Sequence, residues 1–187
     1  LIDSAEVSAY VFTGFWEDIG TVRSFYETNL NLAVFKPDFN FYEEDSPIYT
    51  HRRDLPASKF NSCTLTEVLA ADGSIITDSE ISRSIVGIRS VVEAGCTLDG
   101  VVLMGADFYE PEDRKAGNAA RGVPNIGIGR NCRVSGAIID KNARIGEDCR
   151  IGIDREHYDD GDYPTHFVRD GVIVIPKGAV VPAGTVI

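Results

Sequence analysis

From residue 61 onward a branched aliphatic side chain returns about every sixth position, and no other feature of the sequence restricts the fold as tightly. The series runs Ile75, Ile81, Val86, Val92 and Leu98, then Ile128, Val134, Ile139, Ile145 and Ile151, then Ile175, Val181 and Ile187. Two steps, Ile81 to Val86 and Val134 to Ile139, are five residues long. Two positions before most of these stands a small residue: Ser79, Ser84, Ser90, Cys96, Cys132, Ala137, Ala143, Cys149, Ala179 and Thr185. Residues two apart in a strand face the same side. Each repeat therefore sends one small and one branched side chain inward, and three short strands with tight corners close one coil of a triangular prism. The corners are expected at Gly87, Gly95, Gly129, Asn131, Gly146 and Asp148, residue types that accept positive φ. A doubly wound α/β fold would place helical patterns of roughly 10 to 15 residues between strands, and none follows residue 61. Two polar, turn-rich stretches, 104–125 and 152–170, break the repeat and are expected as loops leaving the prism. The expected class is mainly β, a parallel β-helix of hexapeptide repeats.

Upstream the pattern differs. In TVRSFYETNLNLA, residues 21 to 33, Val22, Phe25, Tyr26, Asn29, Leu30 and Ala33 share one helical face, and Thr21 is placed to cap the first turn. That face needs a partner, which residues 1 to 20 are too few to supply. Residues 37 to 60 carry Pro37, Pro47 and Pro56 amid mixed charge and are expected to form an ordered linker. The division expected is thus 1–36, a linker at 37–60, and a β-helix at 61–187.

The formal charge of -11 opposes nucleic-acid binding by the average field, so an anionic ligand needs a local basic cluster. Apolar runs are far shorter than the roughly 20 residues that cross a bilayer, and no secretory leader is visible; a soluble, cytoplasmic protein is expected. The first residue is Leu1 and the lone methionine is Met104, so a longer gene product is expected. Cys63, Cys96, Cys132 and Cys149 form no CxxC pair and are expected as buried free thiols, not a disulfide or zinc set.

The segment GFWEDIGT, Gly14 to Thr21, resembles the WxDxGT motif of sugar-1-phosphate nucleotidyltransferases. With PIYTHRRDLPASK, SIVGIRS, VLMGADFYE, IGIGRN and IIDKNARIG following in order, the chain from about Phe15 to Ile187 resembles ADP-glucose pyrophosphorylase, glucose-1-phosphate adenylyltransferase. The resemblance implies a left-handed β-helix preceded by a short fragment of an α/β nucleotidyltransferase domain. It implies a reaction of ATP with glucose 1-phosphate giving ADP-glucose and pyrophosphate, in glycogen or starch biosynthesis. It further implies Mg²⁺ with Asp18 as a catalytic carboxylate and metal ligand, Trp16 beside the substrate, and assembly as a tetramer. Taken alone, Asp18 reads as an acidic residue near a helix N-terminus, favoured by the helix dipole. No GGxGTRL-type nucleotide loop occurs in these residues, so the chain by itself is expected to be inactive.

By the same resemblance, Lys141, Lys177 and Arg53, with His51 and Arg52 beside the arginine, belong to an allosteric site for a phosphate or sugar-phosphate effector. Arginine offers a planar fork to phosphate oxygens and lysine a mobile point charge; a lone lysine on a β-helix corner is by default a solvated surface residue. Pro176 departs from the family by replacing an aliphatic residue before Lys177. Three other readings stand beside this one. A hexapeptide acyltransferase would use a histidine base, for which only His51, His157 and His166 are available. A purely structural assembly module would bind no ligand, and a relative acting on another sugar 1-phosphate would differ mainly upstream.

Overall fold

The protein is described from a computed structural model covering residues 6–153 and 158–187. His157, weighed above as an acyl-transfer base, lies outside the described residues.

The hexads close a three-sided parallel coil. One side stacks strands Lys59–Asn61, Ile75–Thr77, Val91–Val92, Gly127–Ile128, Arg144–Ile145 and Val180–Val181. The other two sides are the halves of four seven-residue strands, Thr64–Ala70, Glu80–Val86, Thr97–Leu103 and Arg133–Ile139. Each of these bends at its middle residue, where Glu67, Arg83, Gly100 and Gly136 take φ between 46° and 62°. The split is visible in the pairing of Arg133–Ile139: its first half pairs with Arg150–Ile151 and its second with Ile173–Ile175. Val86 and Ile139 follow Ile81 and Val134 by five residues because each pair lies on one such strand, with Arg83 or Gly136 at the left-handed bend between them.

Stacking is in register. Ile128 pairs with Ile145, and Val134 with Ile151. Ile81, Val86, Val92, Leu98, Ile128, Val134, Ile139, Ile145, Ile151, Ile175 and Val181 are all buried in one cluster, as the hexad series requires. Ile187 is only partly buried against it. One assignment is corrected: Ile75 is 41% exposed, and Ile76 is the inward residue. Counting back six from Ile81 selects Ile75, but the chain takes a five-residue step there, with Ser74 as the buried small partner.

The small residues have a second use. Buried Ser and Cys side chains donate to carbonyls at the corners: Ser79 to Glu93 O at 3.1 Å, Cys96 to Gly129 O at 3.0 Å, Cys132 to Gly146 O at 3.0 Å and Cys149 to Pro182 O at 3.2 Å. All four cysteines are free thiols, and all but the half-buried Cys63 are buried. The corner residues divide in two. Gly95, Asn131 and Asp148 do take positive φ and stack in one column. Gly87, Gly129 and Gly146 do not; they are required by close approach, since a Cβ on Gly146 would stand 2.4 Å from Ala183 N in the next coil.

Neither interruption of the repeat is a plain loop. Residues 104–125 contain a helix, Glu112–Ala120, and 152–170 contain strands Gly161–Asp162 and Phe167–Arg169, which extend a sheet edge antiparallel to Val172–Ile175. The helix left no apolar signal because Asn118 is its one buried residue, and Phe167–Arg169, with only Val168 fully buried, is too short to show a period.

The upstream helix is Val22–Asn31, capped by Thr21, whose hydroxyl accepts from Ser24 N at 3.1 Å while Thr21 N donates to Ser24 Oγ at 3.2 Å. Its partner is the prism itself. Val22, Phe25, Tyr26 and Leu30 pack on the outer face of the β-helix at Val102, Ile138 and Val172. No helix among the described residues is long and apolar enough to cross a membrane.

Candidate functional site

Lys141 follows strand Arg133–Ile139 and Lys177 follows Val172–Ile175, and those two strands pair with Ile175 beside Ile139. The two lysines therefore leave the same corner of successive coils. Gly178 N donates to Lys141 O at 2.9 Å, which fixes the stacking at that corner. Both ammonium groups converge on one carboxylate: Lys177 Nζ lies 2.8 Å from Asp107 Oδ2, and Lys141 Nζ lies 3.3 Å from Asp107 Oδ1.

Asp107 is carried by the excursion that opens after strand Thr97–Leu103. Gly105 makes the turn possible, with φ 83° and a position where a Cβ would sit 2.0 Å from Ile88 O. Asn142 then holds Asp107 by a reciprocal pair, Asp107 N donating to Asn142 Oδ1 at 2.8 Å and Asn142 Nδ2 donating to Asp107 Oδ2 at 2.9 Å. The hydrogen bond from Lys177, then that from Asn142, holds the Asp107 carboxyl well below the usual carboxylate range. The same contact with Asp107 raises the Lys177 pKa. All three side chains stay partly open to solvent, so the cluster is an accessible charged site on the prism wall.

A second ionic network fastens the same excursion. The Glu110 side chain is 2% exposed and accepts from Arg144 Nη2 at 2.5 Å, Asn118 Nδ2 at 3.0 Å and Ile126 N at 2.7 Å. Burial alone would raise the Glu110 pKa, but these donors, Arg144 foremost, outweigh it and bring the value below its ordinary level. Arg144 also donates to Pro124 O at 2.8 Å, so one arginine ties both ends of the excursion to the prism. Beside it a groove of about 570 Å³ runs between the excursion and the side holding Ile75 and Val91.

The other expected site residues lie elsewhere in the chain. Arg53 Nη1 donates to His51 O at 3.3 Å and Arg52 Nε to Asp54 Oδ1 at 3.1 Å, so this exposed basic segment makes its described hydrogen bonds within itself. The structure brings Lys141 and Lys177 together and shows no contact joining them to His51, Arg52 or Arg53 among the described residues. Asp18 is exposed, and its Oδ1 accepts from Gly20 N at 3.0 Å in a tight local turn ahead of the helix. Trp16 is 75% exposed. His166 stacks on Tyr163 at 4.6 Å between ring centroids with its Nδ1 3.3 Å from the Thr165 hydroxyl, a packing role within the antiparallel extension.

Asp107, Asn142 and Glu110 escaped sequence reasoning. Asp107 sits in a segment without periodicity, 34 residues before Lys141, and only the Lys-Asn pair at 141 and 142 hints at a shared partner.

A family model described as the GLGC left-handed parallel beta-helix domain matches residues 53–186, well over half of the chain. The chain belongs to that family. The GLGC domain is the C-terminal region of ADP-glucose pyrophosphorylase, so the resemblance read from the motifs holds at family level. The match also gives the coil its left hand, against the right-handed rule for parallel crossovers. Within the GLGC domain fall Arg53, Asp107, Lys141 and Lys177; Asp18, Trp16, His51 and Arg52 precede the matched residues.

Proposed function

We propose that this GLGC-type β-helix is the regulatory and assembly region of a glucose-1-phosphate adenylyltransferase, and that it takes an anionic effector at Lys141 and Lys177. The observation that carries the reading is the convergence of two lysines from successive coils on one carboxylate, in a protein whose net charge is -11. A cationic pair maintained against that average field is suited to an anion with several acceptor oxygens, such as a phosphate or sugar phosphate. Arg53, with His51 and Arg52, would complete the site by moving from its present local contacts, since an exposed arginine held by one backbone carbonyl is readily redirected.

Residues 1–36 are assigned to the end of the catalytic domain, followed by a linker and the β-helix, whose first strand, Lys59–Asn61, begins two residues before the boundary at 61 expected from the repeat. Tyr10, Val11, Phe12, Phe15, Trp16 and Ile19 are all exposed, an apolar row that suits the surface of a neighbouring nucleotidyltransferase domain. In that setting Trp16 would border the sugar. Asp18 fits a Mg²⁺ site as a single exposed carboxylate, because Mg²⁺ takes one or two carboxylates together with substrate phosphates. The ion would neutralise phosphate charge in the transfer from ATP to glucose 1-phosphate. Exposed Val180 and Val186 on the final coil suit subunit contacts in a homotetramer. A cytoplasmic location follows from the substrates proposed.

The test is made in the enzyme that contains this region. Asp18→Asn is expected to remove most turnover and leave the fold intact, and near-normal kcat refutes its assignment. Inorganic phosphate titrated against wild type and Lys177→Ala is expected to show a weakened effector response in the variant, and identical response constants remove Lys177 from the site.

A further inference from the structure

Resting on the reading of Lys141 and Lys177 as an anion site, we propose that Asp107 is a built-in competitor that occupies the effector position and selects for ligands of charge two or more. Its two carboxylate oxygens divide the lysines between them, Oδ1 to Lys141 at 3.3 Å and Oδ2 to Lys177 at 2.8 Å, much as two oxygens of a phosphate would. The carboxylate arrives from outside the repeat, on an excursion that the prism does not need for closure and that Gly105, Asn142 and the buried Glu110–Arg144 pair hold in place. Those anchors fix where Asp107 stands without involving the lysines.

The lysines themselves are lightly held. Lys177 is more than half exposed and Lys141 nearly a third, so water screens both contacts and each exchanges readily for another anion. Tethered on the chain, Asp107 competes at high effective concentration. A monoanionic carboxylate from solution offers the lysines nothing that Asp107 does not already give them. A phosphate dianion offers twice the charge and a third oxygen, so only a ligand of that class gains by the exchange. Asp140, whose side chain accepts from Lys141 N at 2.6 Å and whose charge also acts on Lys177, adds to the same threshold.

The experiment is calorimetric titration of inorganic phosphate and, separately, acetate, at pH 8 and low salt, into the wild-type chain, Asp107→Asn, Lys177→Ala and the double variant. Asp107→Asn keeps an oxygen for Asn142, and Asp107→Ser serves as the second variant if thermal unfolding shows the first to be misfolded. The expected result is that Asp107→Asn binds phosphate about five- to ten-fold more tightly than wild type, that its preference for phosphate over acetate shrinks, and that the double variant loses the gain. Phosphate affinity unchanged or weaker in Asp107→Asn, with Lys177→Ala impaired, overturns the competitor role and leaves the anion site standing. Phosphate binding indifferent to Lys177→Ala overturns the anion site, and the competitor with it.

Discussion

The Tyr26 hydroxyl donates a 2.6 Å hydrogen bond to the carbonyl of Gly100, 74 residues away, at the point where strand Thr97–Leu103 turns a corner of the prism. Gly100 has φ 62°, and a Cβ there would stand 3.0 Å from the Tyr26 oxygen. The helix is thus seated at a bend that only a residue without a side chain accommodates closely. Tyr26→Phe is expected to cost about 1 kcal/mol. Urea titration monitored by helix-segment hydrogen exchange checks this, and unchanged protection of residues 22–31 contradicts it.

Stability of the prism rests on its inward ladders. Ile145 is buried between Ile128 and Val181, paired with both through the coil register. Ile145→Ala is expected to destabilise by roughly 2–5 kcal/mol, because stacked coils on either side limit collapse into the cavity. Outward-facing Ile75→Ala is expected to cost well under half as much. Equal losses in chemical denaturation would place Ile75 inside after all.

Close approach of coils gives another consequence. Gly146 has no positive φ, so an alanine there is conformationally allowed, yet its Cβ would meet Ala183 N at 2.4 Å. Gly146→Ala is expected to lower the melting temperature through overpacking worth roughly 1–3 kcal/mol. A neutral effect would mean that the coil spacing adjusts freely.

Much of this was legible from residues alone. A period of six with a small residue two places earlier is a physical requirement of a three-sided coil, so Ile128, Val134 and Ile145 fall inward without further information. Ile75 was misplaced because the first coil takes a shorter step, which a strict period cannot show. The helix was visible in its apolar spacing and its cap, but its seat on Val102 and Ile138 was not, since those residues read only as members of a strand. Lys141 and Lys177 drew notice through family motifs. Asp107, which joins them, lies where no periodicity operates, and proximity there depends on how the excursion folds back.

Acid should release that excursion before it melts the prism. Asp107 faces Lys177, Lys141 and Asn142, and Glu110 faces Arg144, Asn118 and the Ile126 N–H; both carboxyls have folded values below their ordinary ones. A carboxyl lowered on folding contributes stability that is complete above its unfolded value, near 4, and is lost as pH falls through the folded value. Hydrogen exchange of residues 104–125, corrected for intrinsic rates, is expected to accelerate as pH falls below about 4, ahead of the core strands. Loss of protection in both regions together contradicts this.

The anion site is the claim on which the functional account turns, and calorimetric titration of inorganic phosphate into the wild-type chain and into Lys141→Ala/Lys177→Ala tests it most directly. Saturable binding in the wild type that disappears in the double variant, with both proteins equally folded, is the predicted result. Binding of the same strength in both would show that these lysines serve only to hold Asp107.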